Sequence, residues 1–423
     1  MDPTRSSWGF DIVSTFTESV KQNLYSSGND SRSLLKVKSK RQNFVSIHLS
    51  HYLPTEKCEV SRLRTGYEKI VAHRCNPPFA YSAEEDGVIE AIDQEAKILR
   101  VKYKDKTVAV SFGDDYTKNG GGGFYCTQNI VINGYKEGDK VKRGDIIIYN
   151  DRFFTPDPYS KQVNWNIGVL KDVVLIDGDS TLDDSCIMDH DLAKDLAFNP
   201  VHIRDIVVTK KTTIHKYAAI GTEVKSIDPL MIFDQSELNE DMFGGLDEDA
   251  IRLLGKINKR TPKAKFTGKV VALDAFYIGG IQDMAPGVRG LVSLINKMKY
   301  QKHQAAKGTV NQDNYPVSQN ITQSNRIGMT ELDEETVIFR FYIQQDMKMN
   351  GGDKVEFDSS LKSVCTGISN NSWVSEDGSL VGHALFSTIG IDNRIINSPK
   401  IEGMCNKILE TAEQQILKMY FEE

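Results

Sequence analysis

Lys354 and Lys362 stand eight positions apart in the stretch Gly351-Gly352-Asp353-Lys354-Val355-Glu356-Phe357-Asp358-Ser359-Ser360-Leu361-Lys362-Ser363-Val364. Lysine is a compact, long-reaching cation that suits phosphate. An alternating run, Val337-Ile338-Phe339-Arg340-Phe341-Tyr342-Ile343, precedes the stretch. Gly-Gly-Asp after a strand reads as a tight turn. The expected unit is therefore a hairpin that offers two positive charges to an anion. On composition alone, a solvated hairpin with two surface lysines is the commoner meaning of such a pattern. A second cluster, Asp177-Gly178-Asp179-Ser180-Thr181-Leu182-Asp183-Asp184-Ser185, follows the apolar run Val173–Ile176, which reads as a buried strand. Acidic residues this dense at a strand end can hold or tune a divalent cation, and can equally form a hydrated turn. A third cluster lies between Arg32 and Gln42, where five basic residues form either a local positive patch or an exposed helix face.

The elements that must position these residues belong to a chain of 423 residues, long enough for two or three domains. Hydrophobic content of 39% and charge of 26% are those of a globular protein. The net charge of −6 gives no global pull toward nucleic acid, so any such surface must be local. No run approaches the length of about 18 apolar residues that a membrane span needs, and the N-terminus lacks the apolar core of a signal peptide. Six scattered cysteines form no Cys-x-x-Cys pair, and eight histidines lack ligand spacing. A reducing compartment is expected, without a zinc module or a disulfide frame.

Along the chain, apolar spacing predicts a helix over 8–24. Strands are expected over 87–92 and 98–103. The glycine run at 119–123 is a loop and not a phosphate loop, because no Gly-Lys-Ser/Thr follows it. Two Gly-Asp turns between Glu137 and Ile148 are typical of small β-barrels. Helices are expected over 191–196 and 247–254, and strands over 203–208, 212–217 and 268–273. Residues 287–300 predict an amphipathic helix with Val288, Leu291, Leu294, Ile295 and Met298 on one side. That side is expected to be a docking surface; the alternative is that it packs on neighbouring strands. Residues 301–328 read as a polar loop. Strands return over 336–343, 353–357 and 380–387, and a helix closes the chain over 402–420.

Several of these stretches, in this order, resemble the second-largest (β) subunit of multisubunit DNA-dependent RNA polymerases. Asn29-Asp30-Ser31-Arg32-Ser33-Leu34-Leu35 with Arg41-Gln42 resembles the family's "NDANRALM…RQ". Thr65-Gly66-Tyr67-Glu68 is similar to "TGME", Glu137–Ile146 to "kkGekVkkGDvi", and Thr181–Ser185 to "NFEDsi". Lys194-Asp195 and Val201-His202-Ile203 follow as "KeD…iHI" does. Phe339–Ile343 with Gly352-Asp353-Lys354-Val355 resembles "VrVyIa…GDKM". Glu376-Asp377-Gly378 with Ile389–Arg394 resembles "DGtp…lGvpsRm". The series covers most of residues 29–400. The family's "GRHGNKG" is replaced by Glu356–Ser363, which keeps the second lysine's offset but loses the glycines and the histidine. The family's glutamate of "NFED" is Asp183 here.

The resemblance implies a mixed α/β, β-rich fold with terminal helices. Its core would be a double-psi β-barrel made of two chain segments, 61–190 and 335–397. Residues 191–334 would form an inserted flap or wall, 1–60 an N-terminal helical, fork-side segment, and 398–423 a C-terminal helix. By the same resemblance, Lys354 and Lys362 approach the RNA 3′ end and the nucleotide's α-phosphate. Arg32 and Arg394 approach its β- and γ-phosphates. Asp183 and Asp184 face a second Mg2+, with Asp184 in contact directly or through water, and Arg41 and Gln42 lie near the downstream fork or the active-site wall. The principal Mg2+ is expected on a β′-like partner carrying a "DFDGD" loop, which this sequence lacks. Further expected partners are a separate N-terminal β chain, a promoter-specificity factor, DNA template, nascent RNA and nucleoside triphosphates. A split β chain of this kind looks like those of giant bacteriophages, acting in the infected bacterial cytoplasm or packaged in the virion. Two other readings are a non-catalytic β-barrel interaction module and a biotin carrier. The carrier rests on Met347-Lys348-Met349 and the hairpin at Glu137–Asp145, which about 200 residues separate here.

Overall fold

The computed structural model describes residues 55–422 except 61, 65, 76–78, 119–124, 167, 177–180, 182–183, 235–258, 322–325, 329, 358–360, 379, 388, 390, 392 and 394–397. The helices expected over 8–24 and 247–254, the basic cluster at 32–42 and the glycine run at 119–123 lie outside these residues. The fold is mixed and β-rich, with three α-helices among the described residues. None of them is long and apolar enough to cross a membrane.

Nine of the strands, numbered along the chain, are β1 (Val173–Leu175), β2 (Ser185–Asp189), β3 (Pro200–Thr209), β4 (Glu223–Val224), β5 (Gly268–Tyr277), β6 (Thr336–Gln344), β7 (Lys354–Phe357), β8 (Leu361–Ser369) and β9 (Ala384–Phe386). The helices are α1 (His190–Asp195), α2 (Pro286–Ala305) and α3 (Ser398–Glu422). The chain folds as two compact units. One combines the stretch up to Gly87 with Phe112–Asn199 and Asp346–Glu423; the other combines Val88–Ser111 with Pro200–Gln345.

The second unit is built on the antiparallel order β3-β6-β5-β4. β6 is rich in β-branched and aromatic residues, which fit a pleated surface covered by neighbours. Its Val337, Ile338, Phe339, Phe341 and Ile343 are all fully buried. Arg340 is the charged residue of the strand. Register sets it between Asp205 and Asp274, and its guanidinium donates to both Asp205 oxygens at 2.7 and 2.8 Å. Where β5 begins, a Cβ on Gly268 would meet the Gln344 carbonyl oxygen at 2.0 Å, so only glycine allows the approach.

Helix α2 starts with Pro286 in its first turn, as proline's fixed φ favours. It buries Val288, Leu291, Val292 and Ile295 in the same core as Val337, Phe339 and Phe341. The apolar side expected to dock a partner is thus mostly consumed by the unit's own strands. Leu291 is 3% exposed, whereas Leu294 is 48% exposed. The segment expected as a polar loop is also partly built. α2 runs on to Ala305, and Asn311 exchanges two hydrogen bonds with Ala109, at 2.9 and 2.7 Å, on the strand Thr107–Ser111.

The first unit holds the parallel and antiparallel five-stranded sheet β1-β9-β2-β8-β7. β1 with β9 and β2 with β8 run parallel; β2 with β9 and β7 with β8 run antiparallel. Its core brings together Met188, Leu192, Val355, Cys365 and Phe386. Val173–Leu175 does form a strand, but not the buried one its composition suggests. β1 pairs with β9 alone at the sheet edge, and its three residues stay exposed. Elsewhere in the unit Ala80–Ser82 pairs with Ile146–Asn150, which pairs with Tyr125–Ile132, and Ala80, Ile146 and Tyr149 share a core with buried Phe153, Phe154 and Trp165. Helix α3 is bound by its polar side. Lys407 Nζ reaches Asp172 at 2.7 Å, and Arg62 Nε donates to Glu413 at 2.9 Å. Ile401, Met404 and Ile408 on α3 are exposed.

Candidate functional site

The Gly-Gly-Asp turn is closed by local bonds. Asn350 N–H donates to Asp353 Oδ2 at 2.8 Å, and Asp353 N–H returns to Asn350 O at 3.2 Å. Burial pushes the Asp353 carboxyl up, opposed by the Asn350 N–H. Gly352 has φ +93°, a left-handed conformation that side chains disfavour, and its N–H donates to Cys365 O at 2.7 Å. The turn thereby aims the chain into β7 alongside β8.

Register places Lys354 opposite Val364 and Glu356 opposite Lys362. Val355, Ser363 and Cys365 are buried, while Val364 is 39% exposed. Successive strand positions alternate between faces, so by register positions 354, 356, 362 and 364 fall on one face of the hairpin. The two lysines of the sequence motif therefore occupy neighbouring register positions on one side of one hairpin.

The acidic stretch arrives at the same place. Val364 N–H donates to the Asp184 carbonyl at 2.8 Å, and Ser185 registers with Val364 where β2 begins. Asp184 is exposed. Thr181, from the same motif, is buried and donates its hydroxyl to Ile176 O at 2.8 Å. Asp183, Arg32, Arg41, Gln42 and Arg394 lie outside the described residues. The structure thus brings together Lys354, Lys362 and Asp184 of the expected set.

Divalent magnesium takes six oxygens in near-octahedral geometry and keeps several waters. Among the described residues no three His, Cys, Asp or Glu side chains converge as a metal site. Asp184 offers one exposed carboxylate here, which fits a single contact, direct or through water, to an ion held mainly by other donors.

Two arrangements here had no reading in the sequence. Asp189, at the far end of β2, is buried. It accepts from Leu192 N–H at 2.8 Å, Ser372 Oγ at 2.6 Å and His383 Nδ1 at 2.7 Å. Burial alone would raise its pKa. The bonds from Ser372, Leu192 and His383 outweigh burial and hold the carboxyl below its ordinary value. Its only local signal was an aspartate ahead of Leu192-Ala193, an N-cap pattern for α1. The second arrangement is a cavity of about 890 Å³ behind the hairpin, lined by Val355, Phe357, Phe386 and Met188 and roofed by Asn406 and Lys407. It opens on the buried face of β7, not on the face of the lysine positions. Cys186 and Cys365 face each other across β2 and β8, both fully buried. Hydrogen bonding to Cys365 and burial push the Cys186 thiol up, which makes it a poor nucleophile.

Neither the protein-family models nor the curated proteins contain a match to this chain.

Proposed function

We propose that this chain is the C-terminal part of a β-type subunit of a multisubunit DNA-dependent RNA polymerase, forming one wall of the site of templated nucleotidyl transfer. One observation supports this reading above the rest: the Val364-to-Asp184 backbone bond, which joins the lysine hairpin to the acidic motif at one sheet end. The bond belongs to the ladder between β2 and β8, and it sets the two motifs side by side in the sheet. The sheet also draws β1 and β2 from before residue 190 and β7, β8 and β9 from after residue 350. That is compatible with a double-psi barrel made of segments 61–190 and 335–397, with 191–334 as flap or wall.

In the reaction, the RNA 3′-hydroxyl attacks the α-phosphorus of the incoming triphosphate: the O3′–Pα bond forms, the bond from Pα to the bridging oxygen of the β-phosphate breaks, pyrophosphate leaves, and the hydroxyl proton passes to solvent. Mg2+, when bound by the β′-like partner, supplies charge neutralisation at the attacking and leaving oxygens. Lys354 and Lys362 add positive charge where negative charge accumulates in the transition state. Arg32 and Arg394 fork onto the triphosphate, as guanidinium does with phosphate. Asp183 and Asp184 present carboxylates toward the second ion, and Arg41 and Gln42 line the downstream side. The working enzyme needs the β′-like chain, a separate N-terminal β chain and a promoter-specificity factor. It acts in an infected bacterial cell or from a virion.

The test is co-purification followed by transcription. The chain is expected to capture a polypeptide carrying "DFDGD", and the chain alone is expected to make no RNA. In the assembled enzyme, Lys354→Ala and Lys362→Ala each slow nucleotide addition about 100-fold without loss of assembly. Wild-type elongation by both variants at saturating nucleotide would sink the assignment.

A further inference from the structure

The parallel register of β2 and β8 breaks once. Ser185 pairs with Val364 and Cys186 with Cys365, but Ile187 pairs with Gly367. Thr366 is the extra residue of a β-bulge. Bulges bend a strand and re-aim its side chains, and they are uncommon in parallel pairs. This one separates the half of β8 that carries Lys362 and Val364 from the half that runs on toward Ser369.

A bulge leaves the facing backbone short of a partner. Here a side chain supplies it. The Thr366 hydroxyl donates to the Cys186 carbonyl at 2.9 Å. Thiols flank the same point: Cys365 Sγ donates to Gly367 O at 3.3 Å, and Cys186 Sγ to Val364 O at 3.7 Å. The Gly-Gly-Asp turn touches it as well, since a Cβ on Gly351 would sit 3.4 Å from the Thr366 carbonyl oxygen. Three chain segments therefore meet at Thr366: the turn ahead of Lys354, strand β2 just after Asp184, and the strand that carries Lys362.

We infer that Thr366 is a positioning residue for nucleotidyl transfer: its hydroxyl fixes the bulge and so sets the lysine hairpin against Asp184. The inference rests on the polymerase reading above. A slip of one residue in β8 would move position 362 to the other register face of the sheet. A smaller displacement, about 1 Å, is enough to cost a large factor in a reaction whose catalysis is positioning. The hydroxyl ties the bulge to β2 through the Cys186 carbonyl. Thr366→Val keeps the shape and removes it; Thr366→Ser keeps the hydroxyl.

The experiment uses the assembled enzyme with wild-type, Thr366→Val, Thr366→Ser, Lys354→Ala and Lys362→Ala chains. Three quantities are measured: exchange of the Val364 amide, thermal stability, and nucleotide addition as kcat and KM per assembled complex. Thr366→Val is expected to speed Val364 exchange and lower kcat about tenfold, with KM and melting temperature near wild type. Thr366→Ser is expected to restore both the exchange and the rate. Unchanged Val364 exchange in Thr366→Val overturns the inference. So does faster exchange with an unaltered rate per complex, or a rate loss that only follows a lost melting temperature. If the lysine variants are slow and Thr366→Val is not, the inference falls and the polymerase reading stands. If the lysine variants also run at the wild-type rate, both fall together.

Discussion

At the scale of single residues, the left-handed turn at Gly352 and the buried Asp189 carboxylate both lie next to the candidate site's strands. Gly352→Ala places a side chain at φ +93° with no atom within 4 Å of the new Cβ, so its cost is conformational and not steric. We expect a loss of about 1–2 kcal/mol, read as a lower denaturant midpoint. An unchanged midpoint would show that the turn relaxes to another conformation at no cost. Asp189 gives a pH signature. Its folded pKa lies below the ordinary value, so the unfolded chain takes up that proton first as the pH falls. The stabilisation is fully present above the unfolded value, near 4, and is lost as pH falls through the folded one. Asp189→Asn should remove that part of the acid limb and cost about 1–3 kcal/mol at neutral pH, because the Ser372 hydroxyl and the His383 ring lose their acceptor. Urea titrations across the acid range check this; a variant with the wild-type slope would place the acid sensitivity elsewhere.

At the scale of elements, α2 separates packing from display. Leu291→Ser removes a buried side chain from the core of Val337, Phe339 and Phe341 and should cost about 2–5 kcal/mol. Leu294→Ser, on the exposed side of the same helix, should change stability by less than about 0.5 kcal/mol. Similar losses in both would mean that Leu294 is covered in solution. The same helix shows what the sequence could reveal. Its existence followed from 3.6-residue spacing, but spacing does not tell which partner covers the apolar side. The β7–β8 hairpin was legible for a local reason: turn chemistry at Gly351-Gly352-Asp353 and alternation sit next to each other in the chain. β1 misled because Val173–Leu175 has the composition of a core strand and the position of an edge strand. The parallel pairing of β2 with β8, the bulge at Thr366 and the Asp189 network were out of reach, since each depends on contacts between residues more than 170 positions apart.

At the scale of the whole molecule, the two units are threaded through each other in sequence: the chain leaves and re-enters the first unit around Val88–Ser111 and again around Pro200–Gln345. This arrangement has a consequence for the order in which a growing chain can fold. The second unit has all its strands once Gln345 has been made, whereas β2 of the first unit then still lacks both its neighbours, β8 and β9. Long-range parallel pairing of this kind is slow, because the loop must close before any contact rewards it. A chain halted after Gln345 should therefore show amide protection across β3, β5 and β6 and none across β2, and equal protection of both would refute that order. During synthesis, β1 and β2 thus remain open strands while more than 150 further residues emerge. Unpaired strands are templates for aggregation. The stretch most in need of a chaperone is thus the acidic half of the candidate site, which waits at the ribosome for the lysine half to be made.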